Sequence, residues 1–206
     1  SHAARAEGRW FDRIVVVVLE NQDGSSTLKD PYFAALLKRG LFFSRYTTIT
    51  HPSYPNYLAM AAGDTFGRIT DAQSDFEARH LGDLLEARHL NWKVYAQGYP
   101  GNCFLADKKN KYVRKHVPFL SFKNVQRSPQ RCARVADASQ FERDLVNGNL
   151  PEYSPTGKVL RQKLHCRSSG FWLLLPAAAK RLCCPFPSIA VRLALPDPAA
   201  AAKLSA

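Results

Sequence analysis

The chain has 206 residues, 46% of them hydrophobic and 11% aromatic, enough for one packed domain or for one domain and a tail. Its formal net charge is +12, but it has no Lys/Arg-rich block and no nucleic-acid motif with interleaved aromatics, so no specific nucleic-acid partner is expected. No apolar run approaches the roughly 20 residues needed to span a bilayer. Ile14–Leu19 is too short, and Pro176 interrupts the stretch from Phe171 to Ala179.

In chain order, Ile14-Val15-Val16-Val17-Val18-Leu19 is a continuous, largely β-branched run, the pattern of a strand buried on both faces. Glu20-Asn21-Gln22-Asp23-Gly24 stops it. Asp30 is expected to cap a helix with Pro31 in its first turn and Gly40 at its end. A second strand is expected over Leu41–Ile49. The turn His51-Pro52-Ser53-Tyr54-Pro55-Asn56 then feeds a short helix, Tyr57 to Ala62, closed by Gly63. Further expectations are a helix from Phe76 to His89, a third strand from Asn91 to Ala96, an irregular basic and aromatic stretch over 99–135, and a helix from Ser139 to Val146 capped by Ser139. Strands alternating with helices define the fold class as α/β, a mostly parallel sheet with flanking helices.

After Ser154 the character changes. Eight Lys/Arg face a single acid, Asp197, so this stretch carries +7 of the net +12. Leu, Ala, Pro and Cys recur there without a helical or strand period. The expected organisation is an α/β domain over 1–154 and a basic, irregular tail over 155–206. The sheet is expected to be incomplete on its C-terminal side. Of the five cysteines, Cys103 and Cys132 lie in the patterned part and are expected to form a disulfide, which would point to an oxidising compartment. Two buried thiols are the other reading. Cys166, Cys183 and Cys184 have no evident partners, and no CxxC pair suggests zinc.

In an open parallel sheet, ligands gather beyond the carboxyl ends of the strands. Glu20 and Asn21 fall directly after the first strand. There a carboxylate and an amide oxygen can hold a hard divalent cation, unless Glu20 is simply a solvated loop residue. Ser53 lies at or near a helix N-terminus, where free N–H groups and the dipole favour an anion. Its hydroxyl can cap that helix or act as a nucleophile toward phosphorus, with Asn56 in the first turn donating to a phosphoryl oxygen.

The stretch VVVVLEN (Val15 to Asn21) followed by THPSYPNYLA (Thr50 to Ala59) resembles the acid phosphatase and phospholipase C-type phosphoesterase family, of the alkaline phosphatase-like superfamily. Trp92 to Tyr99, Gly101-Asn102-Cys103, and Arg114-Lys115-His116 with Pro118 match further. The resemblance runs from about Phe11 to Ser154. It implies that Glu20 is a ligand of a divalent metal ion, Asn21 a metal or phosphate contact, Ser53 the nucleophile and Asn56 a phosphate-contacting amide. His116 becomes a candidate phosphate or leaving-group contact, its bland alternative being a surface histidine. His51 shapes the turn. A phosphate-ester substrate, an acid optimum and a secreted or vesicular, lysosome-like location are implied with it.

The family normally supplies more Asp and His metal ligands from a later segment, where this sequence continues Pro155-Thr156-Gly157-Lys158 into the basic stretch. Three readings stand open: a hydrolase acting through phospho-Ser53, a catalytically incomplete relative that binds phosphate or a partner at most, and a basic protein acting through charge alone.

Overall fold

A computed structural model describes residues 13–19, 24–43, 45–157 and, for the backbone alone, 171–176. The β-branched run forms strand β1, Ile14–Leu19, as its composition dictates. Helices α1 (Gly24–Lys29), α2 (Pro31–Leu37) and α3 (Ser53–Ala62) follow, then α4 (Leu81–Glu86) and strand β2 (Val94–Ala96). The stretch after residue 99 holds a two-residue-per-strand hairpin, β3 (Lys108–Lys109) with β4 (Tyr112–Val113), and two 3₁₀ turns, Arg114–His116 and Pro118–Ser121. Helices α5 (Lys123–Gln126) and α6 (Pro129–Cys132), strand β5 (Val135–Asp137), helix α7 (Ser139–Val146), and strands β6 (Tyr153–Gly157) and β7 (Phe171–Pro176) complete the described chain.

The main sheet has the order β5-β2-β6-β1-β7. The first four of these strands run parallel, and β7 pairs antiparallel with β1 at the edge. Ala96 registers with both Asp137 and Gly157, so the strands end along one common edge. Alternation sorts β1 between two cores. Val16 and Val18 join Tyr57 and Ala61 of α3, Trp92, Val94 and Phe119 on one face. Val15 joins Tyr95 and Leu150 on the other, with Phe141 and Leu145 of α7 packed against them. Burial on both faces, as expected for β1, thus has two distinct partners.

Helix α7 is held to the sheet by an acid that is only 6% exposed. Asp144 accepts hydrogen bonds from Lys93 Nζ, the Tyr95 hydroxyl and Gln140 Nε2, each at 2.7 Å. Burial by itself pushes this carboxyl up, but the three donors outweigh it and hold the group below the usual carboxylate range. Cys103 and Cys132 form a disulfide with Cα atoms 5.2 Å apart, tying the turn after Tyr99 to α6.

Several expectations meet a different outcome. Leu41–Ile49 is not a strand: Leu41, Phe43, Tyr46 and Ile49 are 63–71% exposed, and the segment has no ladder partner among the described residues. Strand propensity forms a strand only where a neighbour takes up the backbone donors. The other two expected strands are present, and the four-stranded parallel sheet is completed by β5 and β6. Strand β6 runs past residue 154 to Gly157, and the backbone of Phe171–Pro176 pairs with β1. Asp30 does cap α2, accepting Tyr32 N–H at 2.8 Å, though the helix ends at Leu37, short of Gly40. Helix α3 begins at Ser53, four residues earlier than expected, and closes as expected on Gly63 at φ 73°. Helix α7 is not capped by Ser139; the Asp137 carboxylate accepts the Ser139 N–H at 3.0 Å instead.

The long helix expected over Phe76–His89 shrinks to α4 because Phe76 is claimed by a distant partner. Its N–H bonds Ser121 O, its carbonyl accepts Lys123 N–H, and its ring stacks 4.5 Å from Phe66. His80 then starts α4. Its ring is 2% exposed, Nδ1 accepts Gly82 N–H at 3.0 Å, and Asp83 returns a bond to the His80 N–H. Because Nδ1 accepts, the ring proton belongs on Nε2, facing Asn124 Oδ1 at 3.1 Å. Burial lowers the pKa of this imidazole from its ordinary 6.5, and the nearby Asp83 offsets that only in part. The neutral form therefore belongs to the folded state. Stability from it is full above about pH 6.5 and declines as pH falls below that value. We expect the melting temperature to drop between pH 7 and 5. His80→Asn keeps a cap acceptor but cannot titrate, so it should flatten that dependence; an unchanged slope would mean that other groups cause it.

Candidate active site

Ser53 is the first residue of α3, after a cis His51–Pro52 bond. It is not the cap: Pro52 holds that position and makes no side-chain cap bond. The anion-favouring end of the helix is met from 17 residues away, where Asp71 Oδ1 accepts Tyr54 N–H at 3.0 Å. Its other oxygen pairs with the ammonium of Lys115. Burial raises the Asp71 carboxyl, but Lys115, the Tyr54 amide and the nearby His116 outweigh it and lower its pKa below the ordinary value of 3.8.

Asn56 engages the loop that precedes the helix. Its Oδ1 accepts the N–H groups of Ile49 (2.9 Å) and Thr50 (3.2 Å). Its Nδ2 donates to Thr50 O (2.7 Å) and Pro52 O (3.0 Å). Both amide hydrogens are used on the loop that delivers Ser53, so a phosphoryl contact from Asn56 requires one of these bonds to exchange. In this structure Asn56 braces the turn.

His116 is 8% exposed, so it is not a surface histidine. Its ring lies 5.1 Å from that of Tyr57. Tyr57 belongs to the same helix as Ser53, and His116 also lies near enough to Asp71 to help lower its pKa. The turn carrying His116 is anchored by Arg114, whose guanidinium donates to Leu105 O at 3.0 Å, Leu120 O at 2.8 Å, and the Asp75 carboxylate. Ser53 and Asn56 thus share the first turn of α3, and His116 packs against Tyr57 of the second. Asp71 and Lys115 were missed in the sequence: Asp71 lies in a Thr/Asp/Ser-rich loop without pattern, and Lys115 is one cation among 29 Lys and Arg residues. Lys115 did stand inside a matched motif, which was the available signal.

Glu20 and Asn21, the expected metal ligands, lie outside the described residues. Among the described residues no three His, Cys, Asp or Glu side chains come together as a cation seat.

Comparison with known proteins identifies the class. The model of the phosphoesterase family matches residues 22–169. The chain belongs to the phosphoesterase family. It is 34% identical over 160 residues to the phosphate-repressible acid phosphatase of Penicillium chrysogenum, covering 74% of this chain and 39% of that protein. An acid phosphatase of Aspergillus fumigatus is 31% identical, covering 75% of this chain and 36% of the relative. The phosphatidylinositol-3-phosphatase of Mycobacterium tuberculosis is 32% identical over 120 residues, 56% of this chain and 40% of that one. The chain thus spans less than half the length of these relatives.

Proposed function

We propose that the chain carries the nucleophile half of a phosphate-ester hydrolase site, with Ser53 attacking phosphorus. The observation that supports this reading best is the place of Ser53: first residue of a ten-residue helix, with an ammonium, a carboxylate and a buried histidine gathered at that helix end. In the proposed reaction the Ser53 Oγ–P bond forms as the ester P–O bond breaks. The hydroxyl proton leaves Oγ, the departing alcohol gains one, and water later releases phosphate from Ser53. The helix end stabilises the phosphoryl oxygens, and His116 contacts phosphate or leaving group. A divalent cation on Glu20 and Asn21 would lower the pKa of the serine hydroxyl. Among the described residues no three His, Cys, Asp or Glu side chains come together as a seat for it.

A second reading, binding of phosphate without turnover, needs only the helix end and its cation, and both are among the described residues. The substrate we propose is a soluble or lipid-borne phosphate ester. The relatives' names cover both: acid phosphatases, and a phosphatase of a phosphatidylinositol phosphate. A secreted or vesicular location is proposed from the disulfide. No helix among the described residues is long and apolar enough to cross a membrane. The test is hydrolysis of p-nitrophenyl phosphate by the purified chain with added divalent cation, compared with Ser53→Ala. Serine-dependent turnover supports the hydrolase, and phosphate binding without turnover supports the second reading. Neither binding nor turnover would remove both.

A further inference from the structure

The positive end of α3 is met by a carboxylate of the protein itself. Asp71 Oδ1 takes the N–H of Tyr54, the residue directly after Ser53, and Oδ2 takes the Lys115 ammonium. One side chain therefore engages both an amide of the helix end and an ammonium. The turn that carries Lys115 is fixed on both sides of it. Arg114 before it is pinned by two carbonyls and Asp75, and His116 after it packs on Tyr57 of the same helix.

Resting on the reading of Ser53 as the phosphoryl acceptor, we infer that Asp71 is a resident competitor of the phosphoryl group. It occupies the amide and the ammonium that a phosphate bound at Ser53 takes over, and so it sets how tightly phosphate is held. The charges favour this exchange. A helix end is worth about half a positive charge and Lys115 one more, so a single carboxylate leaves about half a positive charge uncompensated. A phosphate dianion brings more charge and enough oxygens to satisfy both donors together. The Asp71 side chain is 40% exposed, so water can receive it when it is displaced. A carboxylate that only tied the helix to the Arg114–His116 turn would act differently: losing it would loosen the site and weaken anion binding.

The opposite sign makes the test. Asp71→Asn keeps an oxygen for Tyr54 N–H but removes the negative charge and the hold on Lys115. Titration calorimetry with inorganic phosphate should show Asp71→Asn binding about ten-fold tighter than the unmodified chain, the order expected for removing one like charge at this range in a half-exposed site. Lys115→Met should bind about ten-fold weaker. Circular dichroism checks that each variant is folded, and should Asp71→Asn fail to fold, Asp71→Ser replaces it with the same expectation. Phosphate affinity unchanged or weakened in folded Asp71→Asn, or unchanged in Lys115→Met, overturns the competitor role while leaving Ser53 as the acceptor. Absence of phosphate binding in the unmodified chain and in Asp71→Asn overturns the acceptor reading and this inference with it.

Discussion

Ser53→Ala is expected to reduce p-nitrophenyl phosphate hydrolysis by about three to six powers of ten, the range for removing a covalent nucleophile. The fold should hardly notice. Ser53 is the first residue inside α3 and not its cap, and alanine is the best helix former, so stability should stay within about 0.5 kcal/mol. A cap residue replaced by alanine would instead lose about 1 kcal/mol. The paired measurement, turnover beside melting temperature, therefore separates nucleophile from cap. Undiminished turnover in the variant would sink the nucleophile assignment, and a large loss of stability would mean that the serine holds the helix.

Trp92→Ala should give the largest loss of stability of any single truncation in the main core, about 3–5 kcal/mol. Trp92 is 1% exposed, stacks 4.7 Å from Phe119, and meets the His80 ring edge-on at 6.1 Å. Its Nε1–H donates to Glu86 Oε1 at 3.0 Å, and the Arg134 guanidinium lies 5.5 Å over its ring. The indole thereby joins α4, the Pro118–Ser121 turn and the start of β2 in one contact set. Truncation leaves a cavity and strips Glu86 of a donor, and native domains have only about 5–15 kcal/mol in all. Denaturant unfolding checks this: the midpoint should fall steeply, with Trp92→Phe, which keeps the stacking but not the N–H, falling less. A midpoint within experimental scatter of the unmodified chain would show that the neighbours collapse into the space.

What could be read in the sequence follows what is local. The strand at Ile14–Leu19, the cap at Asp30 and the stop at Gly63 each depend on adjacent residues, and each is where it was expected. Ser53 at a helix start is of the same kind, though the helix begins at the serine itself. What was missed depends on partners far along the chain. Phe76 left its expected helix because Ser121 and Lys123 take up its backbone groups. Leu41–Ile49 has strand-forming residues but no ladder partner among the described ones. Strand β5 is three residues long and pairs with β2, a contact that nothing in Val135-Ala136-Asp137 announces.

The candidate site divides in the same way. Ser53, Asn56 and His116 were marked by motif; the first two lie in the first turn of α3 and the third packs on Tyr57. The motif did not reveal that Asn56 uses its whole amide on residues 49–52, since that requires the loop's geometry. Nor could spacing pair Asp71 with Lys115, 44 residues apart.

A covalent phosphoserine at position 53 is what the proposed chemistry requires. Acid quenching of the purified chain during turnover of p-nitrophenyl phosphate with added divalent cation, followed by peptide mass spectrometry, looks for it. Phosphate on the peptide containing Ser53, absent from Ser53→Ala, is the expected result. Turnover with no phosphorylated serine at 53, or with the label on another residue, would contradict it.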